Sequence, residues 1–345
     1  MKRIMIVTNS LTGGGAERSM NLVANELHER KWDIALVPIN SSPPDLVTPK
    51  CTVLPIGRTW NGGILNTIKA LYNFNKIVSS WKPDTVILNT DLPELFGALL
   101  VVHAKLIAVE HINRPWITRI HLGRIVRKIL KKKGTSWIGV SAHLSIWPIG
   151  MSPLKVIANP IASVVDSTIG RAEIGRNANI LRLIFVGRLA TQKRPQWLLE
   201  IARQEHLPIE FVGSGSMLNQ LEIESKIVGL SVNFHGHLLE PWSIIREGDL
   251  LIVPSEYEGD GLVVIEAINL GLPILVADIP EFRRFGFPDR NYCKNIEAFT
   301  SSVNRYRNSL DELVLPQEIA SQILRFRQIS EIGNSWELLL LSSER

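Results

Sequence analysis

Two α/β domains, each a parallel sheet covered by helices on both faces, are the fold class that three observations predict. The chain has 345 residues, more than one hydrophobic core usually organises. Short β-branched runs alternate with amphipathic helical stretches, the pattern of parallel strands joined by crossover helices. The alternation stops after Asn159-Pro160 and resumes near Leu183, which divides the chain into domains 1–160 and 161–327.

In the first domain the strands are expected at Ile4–Thr8, Ile34–Ile39, Thr52–Pro55, Thr85–Leu88, Lys105–Val109, Trp137–Val140 and Lys155–Ile157. Helical periodicity covers Glu17–Arg30, Ile64–Ser79 and Leu122–Lys132. A linker of little periodicity is expected from Ala162 to about Asn179. In the second domain the strands are Leu183–Gly187, Ile209–Val212, Val232–Phe234, Leu250–Val253 and Ile274–Ala277, with helices at Gln196–Gln204, Met217–Ile227 and Leu262–Leu270. The tail from Ile319 to Leu341 reads as helix throughout. Its apolar run Trp336–Leu341 needs a surface, so a C-terminal helix at about 328–345 is expected to pack back on the first domain.

The composition, 45% hydrophobic and 21% charged, is that of a globular chain and excludes disordered and fibrous classes. Cys51 and Cys293 fit no zinc or redox spacing, which points to a reducing compartment. The apolar run after Lys2-Arg3 is too short for a signal peptide, and no stretch approaches a membrane span, so a cytoplasmic chain is expected. A net charge of +5 suggests an acidic partner.

Open α/β sheets bind ligands at the carboxyl ends of their strands, and two such domains facing a central cleft would supply loops from both sides. The first strand runs into Gly13-Gly14-Gly15 and then a helix. There backbone amides and a helix N-terminus suit a phosphate or sugar hydroxyl; a plain flexible turn is the other reading. The order lacks the spacing of dinucleotide and P-loop motifs. His111, after Glu110, closes the strand Lys105–Val109, where a cleft residue would lie. From Arg114 to Lys133 there are eight Lys or Arg and no acid. A helical wheel puts Arg124, Arg127, Lys128, Lys131 and Lys132 on one face and Leu122, Ile125, Val126, Ile129 and Leu130 on the other. Such a ridge suits an anionic membrane, at about 1 kcal/mol per basic residue near the surface. A merely solvated face is the alternative; nucleic acid is disfavoured because no recognised binding module accompanies it.

In the second domain Gly187-Arg188 leads to Lys193, two cations at a strand-to-helix turn suited to a diphosphate. Gly213-Ser214 repeats the strand-to-glycine turn, open to a nucleotide base. The sharpest signal is Glu258-Gly259-Asp260-Gly261-Leu262 followed by Glu266. Even if the interval were helical the two glutamates would stand roughly 12 Å apart, against ~5 Å for the carboxylates of a retaining glycosidase. The spacing suits a ligand with hydroxyls at both ends and a phosphate between.

Taken in order, Gly14-Gly15-Ala16-Glu17, Glu110-His111, Val140-Ser141, Val186-Gly187-Arg188-Leu189 with Lys193, Gly213-Ser214-Gly215 and Glu258-x7-Glu266 resemble family 4 of the retaining glycosyltransferases, which have the GT-B fold. The resemblance implies an acceptor-binding first domain and a second domain that binds a UDP- or GDP-linked sugar. It implies Arg188 and Lys193 on the diphosphate, Glu266 on the ribose, Glu258 on the donor sugar and His111 beside the reacting centre. It further implies retention of configuration without a metal or other cofactor. A growing, lipid-linked glycan at the inner face of the cell membrane, as in surface-polysaccharide assembly, is the expected acceptor. Three departures stand out: Asp260 in place of an aromatic residue, Pro160-Ile161 after Asn159, and a compact Glu281–Phe285 segment without a glycine-rich turn. An epimerase on the same scaffold, or a non-catalytic nucleotide-sugar binding protein recruited to membrane, are the competing readings.

Overall fold

The computed structural model describes residues 2–11, 14–41, 48–60, 62–144, 153–161, 182–238 and 240–342. The expected linker, Ala162 to Asn179, lies outside them, as does Gly13. The chain divides into two compact units, residues 1–162 with 326–345, and residues 163–325.

The first unit contains, in order, β1 (Arg3–Thr8), α1 (Gly15–Glu29), β2 (Asp33–Pro38), β3 (Thr52–Val53), α2 (Ile64–Trp81), β4 (Thr85–Asn89), α3 (Asp91–Ala98), β5 (Lys105–Glu110), α4 (Ile120–Lys132), β6 (Ser136–Gly139) and β7 (Lys155–Val156). They form one parallel sheet in the order β3-β2-β1-β4-β5-β6-β7. The strands are apolar at consecutive positions because both faces are covered, so alternate residues enter different cores. Ile4, Ile6, Ile34, Leu36, Ile107 and Val109 pack beneath α1. Met5, Val7, Val37, Val86, Leu88 and Ala108 pack beneath α2, α3 and α4.

The second unit contains β8 (Arg182–Val186), α5 (Gln196–Glu205), β9 (Ile209–Val212), α6 (Leu218–Ile227), β10 (Val232–Phe234), β11 (Asp249–Val253), α7 (Leu262–Leu270), β12 (Ile274–Ala277), α8 (Pro280–Arg283), β13 (Tyr292–Cys293), α9 (Ile296–Arg305) and α10 (Gln317–Arg325). Its parallel sheet runs β10-β9-β8-β11-β12-β13. One face carries Leu183, Phe185, Ile209, Phe211, Leu250 and Ile252 under α5 and α9. On β8, β9 and β11 the chain also buries charge: Arg182 forks onto Asp249 at 2.8 and 2.7 Å and reaches Glu210 at 2.8 Å.

The tail is not one helix. α10 ends at Arg325, and α11 (Ile329–Leu341) begins after a break at 326–328. At the break Arg327 is buried, and its guanidinium donates to the Asn159 carbonyl at 3.2 Å. The polar backbone contact that ties the tail to the first unit interrupts the helical ladder. α11 then lies against α1: Ile332, Trp336, Leu339 and Leu340 join the first core, and Arg30 pairs with Glu337 at 2.8 Å.

The wheel drawn for α4 needs correction at two positions. Arg127 is 1% exposed and faces inward, whereas Ile125 is 57% exposed. The inward stripe is Gly123, Val126, Arg127 and Leu130. Arg127 turns in because two buried carboxylates receive it: Glu94 at 2.8 and 2.7 Å and Glu110 at 2.7 Å. The outward basic residues are therefore Arg124, Lys128, Lys131 and Lys132. Gly123 is required by contact, since a Cβ there would strike the Trp116 side chain.

One guanidinium serves two carboxylates, and Asp91 lies within electrostatic reach. Burial pushes Glu110 well above the ordinary carboxylate range and Asp91 up to about 6. Removing a single partner of a buried ion pair leaves an uncompensated charge, at a cost of about 3–5 kcal/mol. Arg127→Met is thus expected to lower unfolding free energy in urea by that amount, with partial recovery on adding Glu94→Gln and Glu110→Gln; an unaltered midpoint for the single variant would exclude the triad as a structural element. Asp91 is a carboxyl whose folded pKa exceeds its unfolded value, so the unfolded chain releases that proton first. Its contribution to stability therefore falls as pH rises from about 4 to about 6. The stability difference between wild type and Asp91→Asn is expected to drift against wild type across that window and to flatten above it.

Candidate functional site

The strand order reverses direction between β8 and β11, and the loops leaving these neighbours diverge to opposite sides of the sheet. Such a switch point opens a crevice at the strands' carboxyl ends. β8 ends at Val186 and delivers Gly187, exposed Arg188 and a short turn over Thr191–Lys193. β11 delivers Pro254 to Asp260. The two loops are stitched together: Glu256 N donates to the Gln192 carbonyl at 2.9 Å, and Gln192 Nε2 donates to the Tyr257 carbonyl at 2.7 Å. This brings Lys193 Nζ onto Glu258 Oε1, which also accepts from Ser255 Oγ at 2.7 Å. Lys193 and Glu258, 65 residues apart, form the centre of the site. Glu258 is buried and Lys193 half-buried, so the lysine is held by the carboxylate without being closed off from solvent.

Gly261 sits at a φ of 61° and starts α7. A side chain would be strained there and would press on Phe282. α7 begins at Leu262, and the partial positive charge of a helix N-terminus suits an anion. Gly259 and Asp260 are buried immediately before it. The acid at Asp260 does not stand alone: Arg284 donates to its carboxylate at 2.7 Å and to its backbone carbonyl at 2.8 Å. Arg284 follows α8, so the Glu281–Phe285 segment borders the α7 N-terminus. Farther along α7, Glu266 accepts from Trp242 Nε1 at 3.0 Å. Trp242 and Arg284 are site neighbours that sequence motifs missed; a buried acid at 260 before a helix N-terminus was the signal that a nearby cation was needed.

Gly213 and Gly215 are held close against the neighbouring loop. A Cβ on Gly213 would overlap the carbonyl oxygen of Gly187, and one on Gly215 would overlap that of Leu189. Leu189 N donates to the Ser214 carbonyl at 2.9 Å. The loops after β8 and β9 lie backbone against backbone, and the glycines make that possible.

In the first unit the corresponding reversal lies between β1 and β4. Gly14 and Gly15 enter α1 there, and Glu17 folds back over Gly14. Asn89, at the end of β4, donates to the Ala16 carbonyl at 3.2 Å and fixes this turn. The next residue, Thr90, has φ 79° and ψ −176°, a conformation that costs a β-branched residue about 1–3 kcal/mol. His111 is buried at the end of β5, next to Glu110 in the Arg127 triad. Gly14, Gly15 and His111 thus belong to one unit, and Arg188, Lys193, Gly213, Ser214, Glu258 and Glu266 to the other. Among the described residues no three His, Cys, Asp or Glu cluster as metal ligands, and no helix is long and apolar enough to cross a membrane.

The glycosyl transferases group 1 family matches residues 166–286. An uncharacterized glycosyltransferase of Haemophilus influenzae is 25% identical over 99% of this chain and 100% of its own length. The lipopolysaccharide 1,6-galactosyltransferase of Escherichia coli is 25% identical over 63% of this chain and 62% of its own. Among solved structures, Anabaena HepE in complex with UDP and glucose superposes with a TM-score of 0.77, covering 99% of this chain and 100% of that one at 18% identity.

The glycine contact gives a direct check. Gly271, also at positive φ, has open space around it, so Gly271→Ala should cost only the ~1–2 kcal/mol of its backbone conformation. Gly213→Ala should cost more than ~3 kcal/mol in thermal or urea unfolding, because backbone must move as well. Equal costs would mean that the two loops do not constrain each other.

Proposed function

We propose that this chain, a glycosyltransferase of GT-B fold whose second unit matches the glycosyl transferases group 1, moves a sugar from a nucleotide-linked donor to a growing lipid-linked glycan, with retention of configuration and without a metal. The observation that carries the donor assignment is the Lys193–Glu258 pair beside the α7 N-terminus, at the switch point of the second sheet. A donor diphosphate placed over the first amides of α7 meets the helix dipole, Lys193 and Arg188. Each preorganised cation or amide stabilises the negative charge that grows on the leaving diphosphate, at about 2.7–4 kcal/mol per donor.

Glu258 has two tasks in this reading. Its Oε1 holds Lys193 and Ser255, and its second oxygen is directed to the donor sugar hydroxyls. Glu266 takes the ribose hydroxyls while Trp242 fixes its carboxylate. Arg284 neutralises Asp260, so the acid adds no net repulsion to the diphosphate. Gly14 and Gly15 are read as binding a phosphate or hydroxyl of the donor, and His111 as acting beside the reacting centre. The leaving phosphate oxygen takes the acceptor proton on the face the nucleotide leaves, which gives retention. UDP bound to the HepE structure and the lipopolysaccharide substrate of the E. coli relative support a UDP-sugar and a surface glycan. The outward cations of α4 support work on the inner face of the cell membrane.

Arg188→Ala and Lys193→Ala are each expected to slow sugar transfer at least tenfold, and Glu258→Gln to slow it more severely. Incubation with a panel of UDP- and GDP-sugars, read first by thermal shift and then by product analysis, identifies the donor. Full turnover in either cation variant would remove the diphosphate from this site. Epimerised donor in the absence of acceptor would assign the epimerase reading instead, and unchanged activity of Glu258→Gln in cells would favour a binding protein.

A further inference from the structure

The helices α2, α3 and α4 form a single layer on one face of the first sheet. Phe74 of α2 and Phe96 of α3 meet edge to face with ring centroids 5.6 Å apart. Glu94 of α3 holds Arg127 of α4. Asn75 of α2 accepts from the Val101 amide at 2.9 Å, which ties the segment after α3 to α2. Because the layer is one helix deep, the residues turned away from the sheet all open onto the same side of the unit.

That side is unusual at α2. The helix buries Ala70, Phe74 and Val78, as a surface helix should. Its opposite face, however, carries Ile64 at 79%, Leu65 at 83%, Ile68 at 58% and Tyr72 at 70% exposure, with half-exposed Trp60 just before it. Leu99 and Val101 after α3, Ile117 before α4 and Ile125 on α4 are exposed as well. Four large apolar side chains turned outward on one helix face mark an interaction site.

Charge identifies the occupant. Neither α2 nor α4 contains an acidic residue, and Lys69 and Lys76 flank the apolar stripe on α2. Between residues 51 and 135 there are 13 Lys or Arg and 4 Asp or Glu. Two of those acids, Glu94 and Glu110, are buried against Arg127 and present nothing outward. An apolar stripe bordered by cations, with no exposed acid on either helix, matches an anionic bilayer: hydrocarbon below, headgroup charge at its edge. A soluble polyanion would leave the stripe uncovered, and a second copy of this strongly basic surface would meet it with like charge.

We propose that the outward side of the α2–α3–α4 layer is a bilayer-docking surface, on which α2 seats Ile64, Leu65, Ile68 and Tyr72 in the interface while α4 lays Arg124, Lys128, Lys131 and Lys132 on the headgroups. This deepens the membrane placement proposed above and rests on it. It adds that hydrophobic insertion by α2, rather than the α4 ridge alone, holds the protein down.

The test is sedimentation of the full chain with phosphatidylglycerol–phosphatidylcholine vesicles and with pure phosphatidylcholine vesicles, at low and high salt. Wild type is expected to sediment with the anionic vesicles and to keep a salt-resistant fraction, because insertion is not screened. Leu65→Ser with Ile68→Ser should lose that fraction, with partitioning reduced at least tenfold. Lys128→Glu with Lys131→Glu should lose mainly the salt-sensitive part. Both pairs alter exposed side chains, so thermal midpoints and donor-induced thermal shifts should match wild type. Equal partitioning of the α2 variant overturns the proposal, as does complete release of wild type by salt. Loss of a dimer in the α2 variant without loss of vesicle binding overturns it in favour of self-association. A wild type that docks on vesicles but shows no shift with any nucleotide sugar would sink the transferase reading and leave the docking surface standing.

Discussion

Arg127 reaches from α4 into the first unit and is gripped by Glu94 of α3 on one side and Glu110 of β5 on the other. Desolvating a guanidinium and the carboxyl groups around it is expensive, and a well-packed apolar trio would hold the same helices at least as tightly. What the ionic contact adds is direction. A guanidinium fork accepts few geometries, so it fixes the rotation of α4 about its own axis. That rotation turns Arg124, Lys128 and Lys131 outward together, and it ties α4 to Glu110 at the strand end that carries His111. The same contact therefore orients both the surface of this unit and the residue nearest to its candidate chemistry.

The second unit solves a related problem with fewer buried charges. Its crevice requires Lys193 and Glu258 to converge from loops 65 residues apart. Adjacent parallel strands bring the loops side by side, and Gln192 crosses between them to lock the spacing. The lysine is then preorganised before any ligand arrives, which is the condition under which electrostatic stabilisation is efficient. Arg284 extends the logic to Asp260, supplying locally the charge that the acid would otherwise take from a ligand.

The strands were legible because burial on both faces leaves uninterrupted apolar runs, as in Ile4-Met5-Ile6-Val7, and those runs have no other soluble interpretation. Glycine turns and the Glu258–Glu266 spacing were legible for a similar reason: few backbones need them. α4 was read with the wrong rotation because an arginine is ordinarily an outward residue, and its inward position depends on carboxylates from two other elements. α3 went unread because its eight residues include Pro93 and Gly97 and offer barely two turns of periodicity. The tail break at 326–328 is set by the Arg327–Asn159 contact, between positions 168 residues apart. Long-range polar pairings leave no local trace, and they account for most of what was missed, Arg284 and Trp242 included.

The backbone contact between Gly187 and Gly213 limits how the second unit can change. Two peptide segments that touch without side chains between them behave as a single plate, since neither can shift or enlarge without displacing the other. Change in this crevice is thus left to positions where side chains meet the loops, such as Arg284 against Asp260. The plate acts as an anvil against which those side chains are set.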